Sequence, residues 1–184
     1  MSYLERDTFV EINLNNLRHN IREVKKKTGK TKIIAVVKAD AYGHGVLQVS
    51  RVFEEEGVDY FGVALLEEAF ELRSLGIKKP ILVQSSIPYN MIEDAVKDEI
   101  TISISDIETA KLVSAVSIKL KKEAVAHIKV DTGLHRFGIL PENVLDFVQK
   151  IKRLPGIYIE GIYTHMASKE STGEEYAKMK IKVF

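Results

Sequence analysis

The sequence predicts an α/β fold: a parallel barrel of the TIM-type (β/α)8 class, represented by its N-terminal portion of about six βα units. Three observations carry this expectation. Six apolar runs of strand length recur at 33–37, 60–65, 81–83, 100–104, 124–130 and 157–163, with helically spaced segments between them. Strand–helix alternation of this kind builds a parallel sheet with right-handed crossovers. No GxGxxG or GxxxxGK[ST] loop follows any run, which weighs against the nucleotide-binding open sheets. The first run ends on a lysine, and if Lys38 points into a lumen, Ile34 and Val36 do too, while Ile33, Ala35 and Val37 face the helices.

The elements follow in order. Leu14, Leu17, Ile21 and Val24 fall on one helical face, Lys25-Lys26-Lys27 complements the helix dipole at its end, and Gly29 is a C′ stop. After the first strand, Val46, Val49, Val52 and Phe53 form a stripe that ends at Gly57. Leu65, Ala69, Leu72 and Leu75 follow the second strand and stop at Gly76. Asp106 is an N-cap before Ile107, Ala110 and Val113. Pro141 sits at a first helical position before Val144, Phe147, Val148 and Ile151, and Pro155-Gly156 ends that segment. Ser171 and Thr172 with Glu174 and Glu175 read as a capping box, opening a helix through Tyr176 and Met179. A complete eight-stranded barrel takes about 250 residues. With 184 residues, the chain is expected to be a fragment of one.

The composition, 45% hydrophobic and 29% charged with a net charge of +1, is that of a globular protein without a long-range field for nucleic acid or membrane surfaces. The absence of cysteine excludes disulfides, thiol nucleophiles and Cys-based zinc sites. No segment has the length and apolar character of a signal peptide or a membrane span, so a cytoplasmic protein is the expectation.

Three polar groups of residues stand at strand ends. In IIAVVKADAYGHG, five apolar residues deliver Lys38 to the strand's mouth, followed by Tyr42, Gly43 and Gly45. Such a lysine either snorkels to water or serves as a Schiff-base amine, its pKa drawn down by desolvation from a reference near ~10.4. The glycines allow close approach of a ligand, and Tyr42 has a hydroxyl to offer an anion such as a phosphate. In HIKVDTGLHRFGI, alternation puts His127 and Lys129 on one face, and Arg136 lies on the loop beyond. Arg136 is either a surface partner of Asp131 or Glu142, or the receptor of a planar anion. In YTHMAS, His165 shares the lumen side with Tyr163 and Gly161. Lysine, arginine and histidine on one rim form the pattern of an anionic-ligand site. No HExxH or carboxylate–histidine set points to a metal.

AVVKADAYGHG resembles the pyridoxal phosphate signature of bacterial alanine racemases, and HIKVDTGLHRFGI and GIYTHMAS resemble two later segments of that family, in order and at compatible spacing. The resemblance covers essentially all 184 residues but about the first half of a family member. It implies that residues 1–184 are the N-terminal part of the cofactor-binding barrel, the later strands and a C-terminal β domain being absent. It implies pyridoxal 5′-phosphate as cofactor, interconversion of L- and D-alanine for peptidoglycan, and a homodimeric full-length protein. Lys38 matches the lysine that attaches the cofactor and acts as acid and base on the D-alanine side. Tyr42 matches a tyrosine on the cofactor phosphate, and His165 a histidine packed on the pyridine ring. Arg136 matches an arginine near the phenolic oxygen and the substrate carboxylate. Lys129 matches a lysine carbamylated in several members. The opposite-face tyrosine, an arginine at the pyridine nitrogen and most of the phosphate site belong to later parts of the family's chain. Leu134 replaces a frequent methionine, a volume-conserving change. A racemase for serine or lysine, and a non-catalytic barrel that manages pyridoxal phosphate, are the competing readings.

Overall fold

Short β-branched and apolar runs, each too small to bury itself, pair edge to edge in the computed structural model, which describes residues 8–166 together with 178, 179, 181, 182 and 184. The strands are β1 (Ile34–Val36), β2 (Tyr60–Val63), β3 (Ile81–Val83), β4 (Thr101–Ile104), β5 (Ala124–Val130) and β6 (Ile157–Thr164). They form one six-stranded sheet in chain order, β1-β2-β3-β4-β5-β6, and every neighbouring pair is parallel. A doubly wound sheet reverses its strand order at a switch point. This sheet never reverses, and is the wall of a partial (β/α) barrel. Among the described residues no helix is long and apolar enough to cross a membrane.

Helices return the chain between strands: α1 (Leu14–Thr28) before β1, then α3 (Val46–Glu55), α4 (Leu66–Ser74), α5 (Ile92–Lys97), α6 (Ile107–Leu120) and α7 (Val144–Ile151). The caps read from sequence are realised. Asp106 accepts the N–H of Thr109 at 2.8 Å, and Gly29, at φ 61°, donates its N–H to the Lys25 carbonyl. Pro141 opens a 3₁₀ turn, Pro141–Asn143, ahead of α7. Helix α5 carries no long periodic stripe and was not legible; Ile92, Ala95 and Val96 bury its single apolar edge. The capping box expected at Ser171 and Thr172, with Tyr176, lies outside the described residues.

The two faces of the sheet differ in chemistry. Outward side chains, among them Val37, Phe61, Val63, Ile102 and Ile128, are buried against the helices and make the core. Ala35 and Val37 are buried and Ile33 packs on the same core, as alternation from Lys38 requires. The lumen face starts apolar on β1 and turns polar toward β6. Gly62 keeps it open: a Cβ there would meet Ile34 and Val36 at 3.3 Å and Gln84 at 3.4 Å. Beyond it stand Tyr60, Thr101, Ser103, His127 and Lys129, a set that an ordinary packed barrel interior would not contain.

Candidate active site

Lys38 leaves the end of β1 directly, and the chain then turns the wrong way. In α2 (Lys38–Gly43), Ala39, Asp40, Ala41 and Tyr42 have φ between 51° and 57° and ψ between 37° and 55°, one turn of left-handed helix built from L-residues. Such a run needs external fixing. The Ala41 N–H donates to the Val37 carbonyl at 2.9 Å, and the Gly45 N–H to Asp40 at 3.1 Å. The Asp40 carboxylate accepts the Val46 N–H at 2.6 Å, and Glu68 accepts the Ala39 N–H at 2.7 Å. Lys38 is half-buried, its amine 5.9 Å from the centre of the exposed Tyr42 ring.

Strand β5 carries Lys129 into the lumen, where it is buried. Its amine lies 4.6 Å from the Tyr163 ring centre and 5.6 Å from that of Phe137. Burial, and then the Arg136 charge, hold its pKa below the ordinary lysine value, and Asp131 only partly opposes them. Tyr163 is anchored from below. Its hydroxyl meets Ser103 Oγ at 2.7 Å, and Ser103 donates in turn to the Val83 carbonyl. Burial pushes the Tyr163 phenol upward in pKa.

The loop from Asp131 to Ile139 closes on itself. The Asp131 N–H donates to Ile139, and the Ile139 N–H to Lys129, both at 2.9 Å. The Asp131 carboxylate accepts the N–H groups of Gly133, Leu134 and His135 at 2.9, 3.0 and 3.1 Å. Burial would raise the Asp131 pKa, but these three hydrogen bonds outweigh it and leave it lowered. Gly138, at φ 138°, permits the closure, because a Cβ there would stand 2.6 Å from the Asp131 nitrogen. With Asp131 so occupied, Arg136 forms no ion pair with it or with Glu142, and its guanidinium faces the lumen's mouth.

At the end of β6, His165 stands on the rim. Burial first, and then the charges of Arg136, Lys129 and Lys38, hold its pKa below the ordinary histidine value. One cavity of about 280 Å³ gathers Lys38, Tyr42, Lys129, Arg136 and His165, all five residues expected from the sequence. Sequence reasoning missed Gln84, which follows β3 and lines the same cavity, and Glu68, which acts from α4. The first polar residue after the apolar run 81–83 was the available signal for Gln84.

Below this cavity a bulge reshapes β6. Ala126 pairs with Ile159 but His127 with Gly161, so Glu160 is the extra residue and turns to the lumen. Its carboxylate meets His127 Nε2 at 2.9 Å and accepts from the Tyr60 hydroxyl at 3.0 Å; Tyr60 also contacts Thr101.

Comparison with known proteins agrees with this geometry. The family model for the alanine racemase N-terminal domain matches residues 12–184. An alanine racemase of Caldanaerobacter subterraneus is 45% identical over 178 residues, which cover 94% of this chain and 45% of that protein. The solved alanine racemase of Clostridium difficile superposes with a TM-score of 0.84 at 38% identity, covering 94% of this chain and 46% of that one. A histidine racemase of Leuconostoc mesenteroides gives 0.85 at 27% identity, over 92% and 46%. The chain thus spans about half the length of the relatives it matches. With the motifs, the strand order and the family model all in agreement, the chain belongs to the alanine racemase N-terminal domain family.

Proposed function

We propose that this chain is the cofactor-attaching half of a pyridoxal 5′-phosphate-dependent alanine racemase, interconverting L- and D-alanine. The observation that carries the reading is the convergence of Lys38, Lys129 and Arg136 on one cavity whose nearest carboxylates are already occupied. Asp40, Glu68 and Asp131 each accept backbone N–H groups. Three cations without carboxylate counter-ions among the described residues fit a ligand that is itself anionic, with a phosphate and a ring oxygen.

Lys38 is the attachment point and the group that removes or returns the substrate Cα proton on one face. Arg136 binds the substrate carboxylate, and Tyr42 offers its exposed hydroxyl to the phosphate. His165, its pKa lowered by burial and then by the nearby cations, supplies a flat face for the ring. Lys129, buried on β5 and within electrostatic reach of Arg136, would orient the guanidinium if its amine were carbamylated. When bound, the cofactor supplies an electron sink for the charge left at the Cα. Racemisation needs proton exchange on both faces, and the resemblance assigns the second face to a tyrosine outside these 184 residues, carried by the partner of a homodimer. The cytoplasmic setting and the supply of D-alanine to peptidoglycan rest on the same resemblance. Alanine is favoured over histidine because the alanine racemases above are more similar in sequence than the histidine racemase.

The test is to add pyridoxal phosphate, reduce with borohydride and map the label, then follow L-alanine by chiral chromatography. The label is expected on Lys38. Labelling spread over surface lysines, unchanged in Lys38→Ala, would overturn the assignment. Binding at Lys38 without racemisation by the complete protein would favour the non-catalytic barrel.

A further inference from the structure

We infer that Glu68 is a positioning residue for the reaction, an anionic clamp that holds the left-handed turn from which Lys38 and Tyr42 are presented. The inference rests on the cofactor reading above and adds a residue that touches neither ligand nor substrate. One oxygen of Glu68 accepts the N–H of Ala39, the residue after Lys38, at 2.7 Å. The other accepts the N–H groups of Ala64 and Leu65 at 2.8 and 2.9 Å. A single carboxylate therefore ties the end of β1 to the end of β2, and Ala64 lines the same cavity as Lys38.

Capping of α4 explains only part of this. Glu68 is the third residue of α4 and supplies the acidic half of a capping box, accepting the N–H of the N-cap residue Leu65. That box uses one oxygen and leaves the Ala39 contact unexplained, since Ala39 lies 29 residues away on another strand end. The recipient is also the first of four consecutive L-residues at positive φ. A right-handed continuation would remove Ala39 from Glu68 and swing Lys38 and Tyr42 relative to Lys129 and Arg136. The charge-assisted bond opposes the intrinsic preference at the point where the chain reverses hand.

The experiment compares Glu68→Ala, Glu68→Gln and Glu68→Asp with Asp106→Ala, which removes the N-cap of α6 away from the cavity. The readouts are pyridoxal phosphate affinity by absorbance and the fraction of borohydride-trapped label on Lys38. Glu68→Ala is expected to weaken affinity about ten-fold, the effect of losing one charge-assisted hydrogen bond, and to spread label to other lysines. Glu68→Gln, which keeps one acceptor, falls between, and Asp106→Ala matches the wild type in both readouts. If Glu68→Ala fails to fold, Glu68→Gln and Glu68→Asp carry the comparison. Glu68 variants that bind and label as the wild type does, or an equal loss in Asp106→Ala, overturn the proposal. A wild-type protein that takes no label at Lys38 instead overturns the cofactor reading.

Discussion

The Lys129 amine lies 4.6 Å from the centre of the Tyr163 ring, buried in the lumen with no carboxylate partner among the described residues. An aromatic face is a modest substitute for water around an ammonium ion, and burial without a counter-ion disfavours the charged form. Arg136 adds to that effect. The position therefore costs stability.

Lys129→Met is accordingly expected to stabilise the fold by about 1 kcal/mol near neutral pH, because it removes an uncompensated buried charge. The sign with pH follows from linkage. The folded-state pKa lies below the ordinary lysine value, so the unfolded chain binds the proton more readily between the two. Stability then rises with pH across that window, whose upper limit is near ~10.4. Urea unfolding at a series of alkaline pH values should show the rise in the wild type and its absence in Lys129→Met. An equal rise in both would place the titration elsewhere.

His165 is expected to titrate below the ordinary histidine value, since burial and three cations disfavour its imidazolium. Removing the charge with the largest effect on it in Arg136→Ala should move the imidazole titration upward in NMR, toward the ordinary histidine value. The same variant should weaken binding of carboxylate ligands while leaving the melting temperature nearly unchanged, because Arg136 is exposed and forms no ion pair among the described residues. A large fall in melting temperature with unaltered binding would make Arg136 a structural residue.

Two positions in the loop after β5 should respond in opposite directions. His135 holds φ 55° with its side chain 80% exposed, so little but its backbone conformation is at stake. The left-handed region costs an L-residue roughly 1–2 kcal/mol, and glycine returns about half of that as unfolded-state entropy. His135→Gly should stabilise by about 0.5–1 kcal/mol. Gly138→Ala should destabilise by about 2 kcal/mol or more, since its Cβ meets backbone that cannot yield. Thermal unfolding of both variants decides the matter, and a neutral Gly138→Ala would mean that the loop opens freely.

What was legible in the sequence follows from how each feature is encoded. The strands announced themselves because outward residues such as Ile102 and Ile128 must be apolar to meet the helices. Lys38, Lys129 and His165 could be put on one rim because period-two alternation fixes the face of a strand residue once its neighbours are fixed. Arg136 sits on a loop that no periodicity constrains; the motif named it and the structure placed it. The left-handed turn was not legible, since KADAYG contains one glycine and no local signal for four residues at positive φ. One of the contacts that fix it comes from Glu68, which meets Ala39 only across the fold. Glu160 was missed for a related reason: strict alternation from His165 and Tyr163 would have turned it out, and the bulge at Ala126–His127 turned it in.

That bulge supplies the last prediction. Burial of Glu160 raises its pKa, but the hydrogen bonds from His127 and Tyr60 outweigh burial and leave it lowered. A carboxylate with a depressed folded-state pKa contributes stability that is fully present above the unfolded value, near ~4.3, and is lost as pH falls through the folded value. Glu160→Gln, which keeps an acceptor but cannot titrate, should flatten the acid limb of the stability curve. Tyr60→Phe removes one donor to the carboxylate and should shift that limb to higher pH. The measurement is denaturant midpoint against pH below neutrality for the three proteins. Parallel acid limbs in all three would show that the lumen carboxylate is solvated and that its contacts to His127 and Tyr60 are too weak to favour the charged form.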